Sequence, residues 1–423
     1  MTDLLHRCLS VRNVVDDNIR TLASQLECDL PADAAPSAGH QRSLSRERAV
    51  HKFSGIWGMR IRTTSTCLLI SRPAYLGESW GVNTMGNTMN LLLTLLFACA
   101  AVAQTWVQQQ SGTPASLRGV SAVTANVVWA SGSKGTYLRT SDGGATWRTA
   151  TVPGSADLDF RAIHAVDERT AYLLSIGPGE KSRIYKTTDA GDHWVVAYTN
   201  PDPKGFFDAL AFWDATHGIV LGDPVDGRFV ILTTADGGAS WRRRKTPSAA
   251  DNEGAFAASN TCLVVRGARE AWFATGGVGG ARVFHSTDGG ETWSVAKTPV
   301  RSGSSSEGIF SLAFSDGRHG IAVGGDYNKT AETAGNVAVT SDGGRTWTAP
   351  AGTPPGGFRS AVAYLGDRKI WIATGTSGSD VSFDDGKNWK QFDTGSYNAM
   401  SFISSQAGWA VGPKGVVAKF KPE

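Results

Sequence analysis

Two sets of charged side chains in this 423-residue chain have the types and spacing to do chemistry. The first is six aspartates, Asp142, Asp189, Asp236, Asp288, Asp342 and Asp384, each inside the phrase Ser/Thr-x-Asp-x-Gly-x-x-Trp. A carboxylate there could ligate a metal or act as acid or base. An active site is rarely built six times over, however, and repeat units share framework while differing at their binding face. The Asp-Gly core reads instead as a turn: the short carboxylate accepts from the next backbone N–H groups, and glycine supplies positive φ at no steric cost. The second set is not repeated. Aligning the units places Arg118, Arg161, Asp208, Ala257, Phe310, Arg359 and Asn398 at the opening of each innermost strand, around one central mouth. Neighbouring loops add Asp223, Asp226 and Arg228, then Asp326-Tyr327, Glu253 and Glu307. Arginine forks carboxylates with two parallel hydrogen bonds, so Arg118, Arg161 and Arg359 suit an anion-recognising pocket. The bland alternative is solvated loop charge with local Arg–Asp pairing. The expected binding set is therefore Arg118, Arg161, Asp208, Asp223, Asp226, Glu253, Asp326, Tyr327 and Arg359, with no catalytic residue assigned.

Other chemistries lack their residues. His164, His193, His217, His285 and His319 are scattered without ligand spacing, so no zinc is expected. Asp223 and Asp226 could touch Ca²⁺, but two carboxylates do not make a site. Gly276-Gly277-Val278-Gly279-Gly280 is followed by no Lys-Ser/Thr and no helical pattern, which excludes a phosphate loop. No Gly-x-Ser-x-Gly elbow occurs. No cofactor is expected.

The elements that position these residues follow from the repeat. Successive box aspartates lie 47, 47, 52, 54 and 42 residues apart, the length of a four-stranded propeller blade. Short alternating runs flank each box, as in Thr136–Thr140 and Trp147–Thr151, and alternation on both sides of a Gly-rich turn predicts a hairpin. The box Trp is expected to wedge between neighbouring sheets. Two further strands precede each hairpin, for example Phe160–Val166 and Thr170–Ser175, with counterparts starting near Leu117, Phe207, Phe256, Phe310 and Phe358. A seventh unit, Tyr397–Ile403, Gly408–Val411 and Val416–Phe420, stops before its fourth strand. Thr105–Gln110 resembles the post-box strands and predicts the missing one. The expectation is an all-β, seven-bladed propeller closed by an N-terminal strand, since closure removes exposed sheet edges. Strand parity puts the box turns and the strand one–two turns on one face. The longer strand two–three loops and blade connections emerge on the other, the expected binding face.

Residues 1–84 carry no repeat and are expected to be an unstructured, mis-assigned extension; residues 85–103 read as a signal peptide and 104–423 as the propeller. Met89–Ala103 is apolar, shorter than the about 20 residues a span needs, and ends in Ala101-Val102-Ala103, a small-x-small cleavage site before Gln104. Met85 or Met89 then becomes the initiator, residues 1–88 are disordered or untranslated, and the product is periplasmic or extracellular. A cytoplasmic N-terminal domain with an internal apolar segment, or a lipoprotein site at Cys99, are the alternatives. Of five cysteines only Cys262 follows Ala103, so the exported chain can form no internal disulfide. The formal charge of +3, from 41 Lys/Arg and 38 Asp/Glu, gives no electrostatic reason for nucleic acid or a membrane face.

Trp106–Trp147 and Ser404–Phe420 resemble the opening and closing blades of the photosystem II assembly/stability factor family, whose repeated phrase is the Asp-box or bacterial neuraminidase repeat. The resemblance implies an exported, monomeric, non-enzymatic binding factor with a protein client or a small anionic or carbohydrate ligand, and an arginine-rich patch to which Arg118 and Arg161 correspond. The rival class is a sialidase- or glucanase-like glycoside hydrolase, which shares the box. It would need two carboxylates about 5–10 Å apart across the mouth, with Asp208, Glu253, Asp326 and Glu307 available. Phe160-Arg161-Ala162-Ile163 lacks the proline of the sialidase Arg-Ile-Pro motif.

Overall fold

The computed structural model describes residues 104–423; the extension and signal-peptide expectations for residues 1–103 lie outside the described residues. Seven antiparallel sheets follow one another along the chain. Blade 1 is Leu117–Ala122, Val128–Gly132, Thr136–Thr140 and Arg148–Thr151, in that spatial order. Blade 2 is Asp159–Ala165, Ala171–Ile176, Arg183–Thr187 and Val195–Thr199. Blade 3 is Phe207–Phe212, Gly218–Val225, Arg228–Thr234 and the two-residue Arg242–Arg243. Blade 4 is Leu263–Arg266, Glu270–Ala274, Arg282–Ser286 and Ser294–Lys297, and blade 6 is Ala361–Leu365, Ile370–Gly375, Gly378–Ser382 and Lys390–Asp393.

Blade 7 closes the ring as the sequence predicts. Ala399–Ser404, Ala407–Val411 and Val417–Lys421 take Thr105–Gln109 as their fourth strand, with Trp106 directly opposite Phe420. The Trp106 ring lies 5.2 Å from Phe420 and 5.6 Å from Tyr397, and its Nε1 donates to Ser379 Oγ of blade 6 at 3.0 Å.

Blade 5 departs from the pattern. Glu307–Phe314, Gly320–Asp326 and Val337–Thr340 form three strands, and the fourth shrinks to one bridge between Val339 and Thr348. The sheet gains two short strands on its inner side, Glu253–Gly254 and Gly276–Gly277. The glycines permit it: side-chain-free backbones of Gly276 and Gly308 approach where a Cβ on either would meet the other's Cα within 2.6 Å.

All six boxes share one hydrogen-bond network. In the first, Thr140 Oγ1 donates to Asp142 Oδ1 (2.7 Å) and accepts from the Gly144 N–H (2.9 Å). Asp142 also accepts from the Thr146 N–H at 2.9 Å and the Thr146 hydroxyl at 2.5 Å. The set recurs around Asp189, Asp236, Asp288, Asp342 and Asp384. These carboxylates therefore hold their own turns. The Ser240 hydroxyl, the Ser240 N–H and the Thr234 hydroxyl hold Asp236 down to about 2.

The box also clasps blades together. Lys419 Nζ donates to Gly143 O (3.0 Å), Tyr137 OH to Gly191 O (2.6 Å), Tyr172 OH to Gly237 O (2.6 Å) and Trp272 Nε1 to Gly343 O (2.9 Å), each from the preceding blade. The box Trp packs backwards too: Trp194 sits edge-on to Tyr137 at 5.2 Å, and Trp389 joins Ile321, Val323 and Val337 of blade 5. The strand one–two turn lies beneath the box, as in the Gly143 N–H to Asn126 O bond of 2.9 Å.

Candidate functional site

Four inner strands open with a β-bulge, and its extra residue is the ring residue. Register skips Arg118 between Leu117 and Gly119, Arg161 between Phe160 and Ala162, Asp208 between Phe207 and Ala209, and Phe310 between Ile309 and Ser311. A bulge re-aims one side chain out of the pleat, so these positions leave the inter-blade packing to their neighbours.

Arg118 lies close enough to Arg161 to feel its charge. Arg161 is buried, its Nε donating to Asp159 Oδ2 at 2.8 Å and its Nη1 to the Ala257 carbonyl at 3.1 Å. Arg118 is half-buried, and its guanidinium is pushed down to about 9, first by the neighbouring Arg161 charge and then by burial, with Asp159 opposing. Asp159 therefore bonds Arg161 and acts on Arg118 as well, while Asp208 holds the equivalent bulge position of the next blade. Asp159, two residues before Arg161, was not singled out in the sequence; its spacing from the bulged arginine is what brings the two side chains together.

Arg359 does not join them. Its N–H bonds Gly324 O as Leu117 N–H bonds Gly412 O and Tyr397 N–H bonds Gly375 O, which puts it level with the residues just before Arg118 and Asn398. The side chain is fully buried in blade 6, with Nε on Asp380 Oδ2 (2.5 Å) and Nη1 on Phe358 O and Ser377 Oγ (both 2.8 Å). Its neighbour Ser360 donates to Asn398 O at 2.8 Å, and Asn398 Nδ2 to Leu117 O at 2.8 Å.

The carboxylates are engaged locally. Glu253 is buried and accepts from Thr275 Oγ1 (2.6 Å), Arg282 Nε (2.8 Å), Arg282 Nη2 and the Ala250 N–H (2.8 Å). Arg301 grips Glu307 through Nε and Nη2 at 2.9 and 2.6 Å and reaches Glu332 with Nη1. Asp223 accepts the Ala255 N–H at 3.0 Å. Asp226, φ +52°, and Gly227, φ +76°, make the two-residue turn between Val225 and Arg228, and Asp226 meets Lys204 Nζ at 3.1 Å. Asp208 and Asp326 are buried, the latter accepting the Asn328 N–H at 2.9 Å. Tyr327 lies edge-on to Phe310 at 6.1 Å. No group of three or more His, Cys, Asp or Glu able to hold a metal occurs among the described residues.

Blade 4 supplies the second unforeseen feature. Its paired inner strand starts at Leu263, not near Phe256. The preceding residues leave the blade and cross the channel mouth as a strap, Ala255–Asn260. Phe256 stacks on Phe310 of blade 5 at 3.9 Å, and Ala257 O accepts from Arg161 of blade 2. Ser259 Oγ donates to Ser360 O of blade 6 at 2.7 Å, and the Asn260 amide brackets Leu210 of blade 3, accepting its N–H at 2.8 Å and donating to its carbonyl at 2.9 Å. One segment thus ties four blades together across the axis, which is why Ala257 does not occupy a ring position.

Residues 284–295 match the BNR/Asp-box repeat. The chain is similar, at 18% identity and a TM-score of 0.54, to a structure described as YCF48 bound to D1 peptide, covering 75% of this chain and 97% of that one. YCF48 from Cyanidioschyzon merolae aligns at 19% identity and a TM-score of 0.53, covering 74% and 98%. U3-55K aligns at 15% and 0.52, covering 76% and 98%. These likenesses concern the fold. Among curated proteins, a xyloglucanase from Paenibacillus sp is 25% identical over 286 residues, 64% of this chain and 25% of that protein. This chain is a seven-bladed Asp-box propeller resembling the photosystem II assembly factors.

Proposed function

We propose that this chain is an exported binding factor whose box-free face holds an anionic group of a protein partner at Arg118 and Arg161. The observation that carries this reading is the placing of two guanidiniums within Coulombic reach at the bulges of adjacent blades, with Asp159 bonded to one of them. Like charges held together in a partly dry site are relieved by a bound anion, and a carboxylate fits the guanidinium fork. The YCF48 structure with a bound D1 peptide supports a peptide-bearing partner on this architecture. The xyloglucanase likeness favours a carbohydrate reading, yet Glu253 and Glu307 already spend their oxygens on Arg282 and Arg301, which counts against either as a glycosidic acid or nucleophile.

Citrate, as a simple carboxylate probe, is expected to raise the unfolding temperature with concentration, since a ligand of the folded state stabilises by mass action. Arg118→Ala/Arg161→Ala is expected to abolish the rise. An equal rise in that variant, or hydrolysis of xyloglucan oligosaccharides by the wild type, would sink the reading. The export component is tested by sequencing the mature N-terminus, for which Gln104 is expected.

A further inference from the structure

We propose that the strap Ala255–Asn260 is a removable internal ligand that occupies Arg161 and must lift before that arginine can take an anion. The inference rests on the reading of Arg118 and Arg161 as the anion site, and adds its regulation. The strap contributes a carbonyl oxygen, from Ala257, where an incoming carboxylate oxygen would bind Arg161 Nη1. Arg161 is buried, with Nε on Asp159 and Nη1 on the strap carbonyl, whereas Arg118 is partly exposed. A carbonyl is the weaker partner for a guanidinium, because charge-assisted pairs to carboxylate are roughly twice as strong as bonds to neutral acceptors. A carboxylate therefore has the thermodynamic means to displace it.

The attachments of the strap are of a kind that can open without unfolding a blade. Its own residues pair in no sheet between Ala255 and Thr261. It is held down by the Phe256 ring packed with Phe310 and Phe358, by the Ser259 hydroxyl on Ser360 O and beside Thr261 Oγ1, and by the Ala257 carbonyl itself. Asn260, bonded twice to Leu210, is the hinge end, and the Ala255 N–H on Asp223 is the other. The residues between, Phe256-Ala257-Ala258-Ser259, carry no charge and no β-branched side chain, so neither a buried ion pair nor a stiff rotamer opposes lifting. Access is then set first at Arg118, which a ligand can reach with the strap down, and completed at Arg161 with the strap up.

Phenylglyoxal modification of the full chain, mapped by mass spectrometry, reads the strap without any ligand. In the wild type, Arg118 is expected to react well ahead of Arg161. Ser259→Ala removes one hydroxyl and is expected to speed reaction at Arg161 about fivefold, the worth of one net hydrogen bond. Phe256→Ala/Ser259→Ala should add a further several-fold from the lost ring pair, with the Arg118 rate unchanged in both. Citrate affinity should tighten by the same factors as the Arg161 rate rises. An unchanged Arg161 rate in Ser259→Ala overturns the strap as a gate, whatever the ligand. A raised Arg161 rate with no citrate binding in any variant upholds the gate and refutes the anion reading, so the two failures are told apart.

Discussion

Closure of the ring by the N-terminal strand makes a sharp prediction at Trp106. Replacing it with Ala removes a ring that is 6% exposed and contacts Phe420, Tyr397 and Phe402 within blade 7. It also deletes the Nε1 bond to Ser379 of blade 6. Truncating a buried aromatic costs about 3–5 kcal/mol, and an abandoned buried hydroxyl partner adds about 1 kcal/mol. For a domain of this size about 4–6 kcal/mol corresponds to a fall of roughly 8–12 °C in Tm, at about 2 °C per kcal/mol. Val107→Ala is the internal control: the same strand, the next residue, but a side chain 48% exposed, where substitutions change stability by less than about 0.5 kcal/mol. Thermal unfolding followed by near-ultraviolet circular dichroism distinguishes the cases. If the strand were an appendage, Trp106→Ala would fray Thr105–Gln109 and leave the main transition in place. A Tm indistinguishable from that of Val107→Ala would refute the closed ring.

Four further outcomes follow from the same contacts. Thr340→Val keeps the shape of a buried box residue but loses the bonds to Asp342 and Gly344, so urea unfolding should report a loss of about 2 kcal/mol. Asp380→Asn strands the fully buried Arg359 charge and should cost about 3–5 kcal/mol in the same assay, with citrate response unchanged because Arg359 lies outside the mouth. Asp236 is held below its unfolded value, so its stabilisation is complete above the ordinary carboxylate pKa of about 4 and disappears as pH falls through about 2; Asp236→Asn should flatten the urea midpoint over that window and match the wild type's slope above pH 5. Arg118→Met relieves the repulsion with Arg161, and its Tm without anions should equal or exceed the wild type's, while the rise with citrate shrinks.

Repetition explains what was legible. The box recurs because one geometric problem, a tight turn clasped to the blade before it, recurs at every blade, so its Thr, Asp, Gly and Trp can be read by comparing units. Partner strands follow by parity, and Trp106 opposite Phe420 follows from the one unit lacking its last strand. The mouth has no such internal control. A single extra residue decides whether Arg118 points at the axis or at a neighbouring blade, and a bulge has no fixed residue signature. Blade 6 shows the cost: Arg359 and Ser360 are adjacent, one residue separates a buried ion pair from the mouth, and alignment by box spacing resolves no finer than that. The strap was unreadable for a different reason. Phe256-Ala257-Ala258 matches the Phe-x-Ala opening of the inner strands at Phe160 and Phe207, and partners from blades 2, 5 and 6, distant in sequence, draw it out of the sheet.

The two faces of the disc consequently bear different physical loads. On the box face, one bond pattern is written six times and four of the copies accept a side-chain hydrogen bond from the preceding blade, so change there is penalised repeatedly. On the opposite face the ion pairs are local and unrepeated: Glu253 with Arg282, Glu307 with Arg301, Arg359 with Asp380. Buried pairs of that kind are weak sources of net stability but costly to break singly, and so they fix loop geometry rather than strengthen the fold. Arg118 and Arg161 differ from them: Arg161 bonds both Asp159 and a neutral carbonyl, and Arg118 lies within Coulombic reach of Arg161 and Asp159. The scaffold thus sets two guanidiniums within reach of each other's charge at the mouth of the channel, where a molecule from outside or its own strap can meet them.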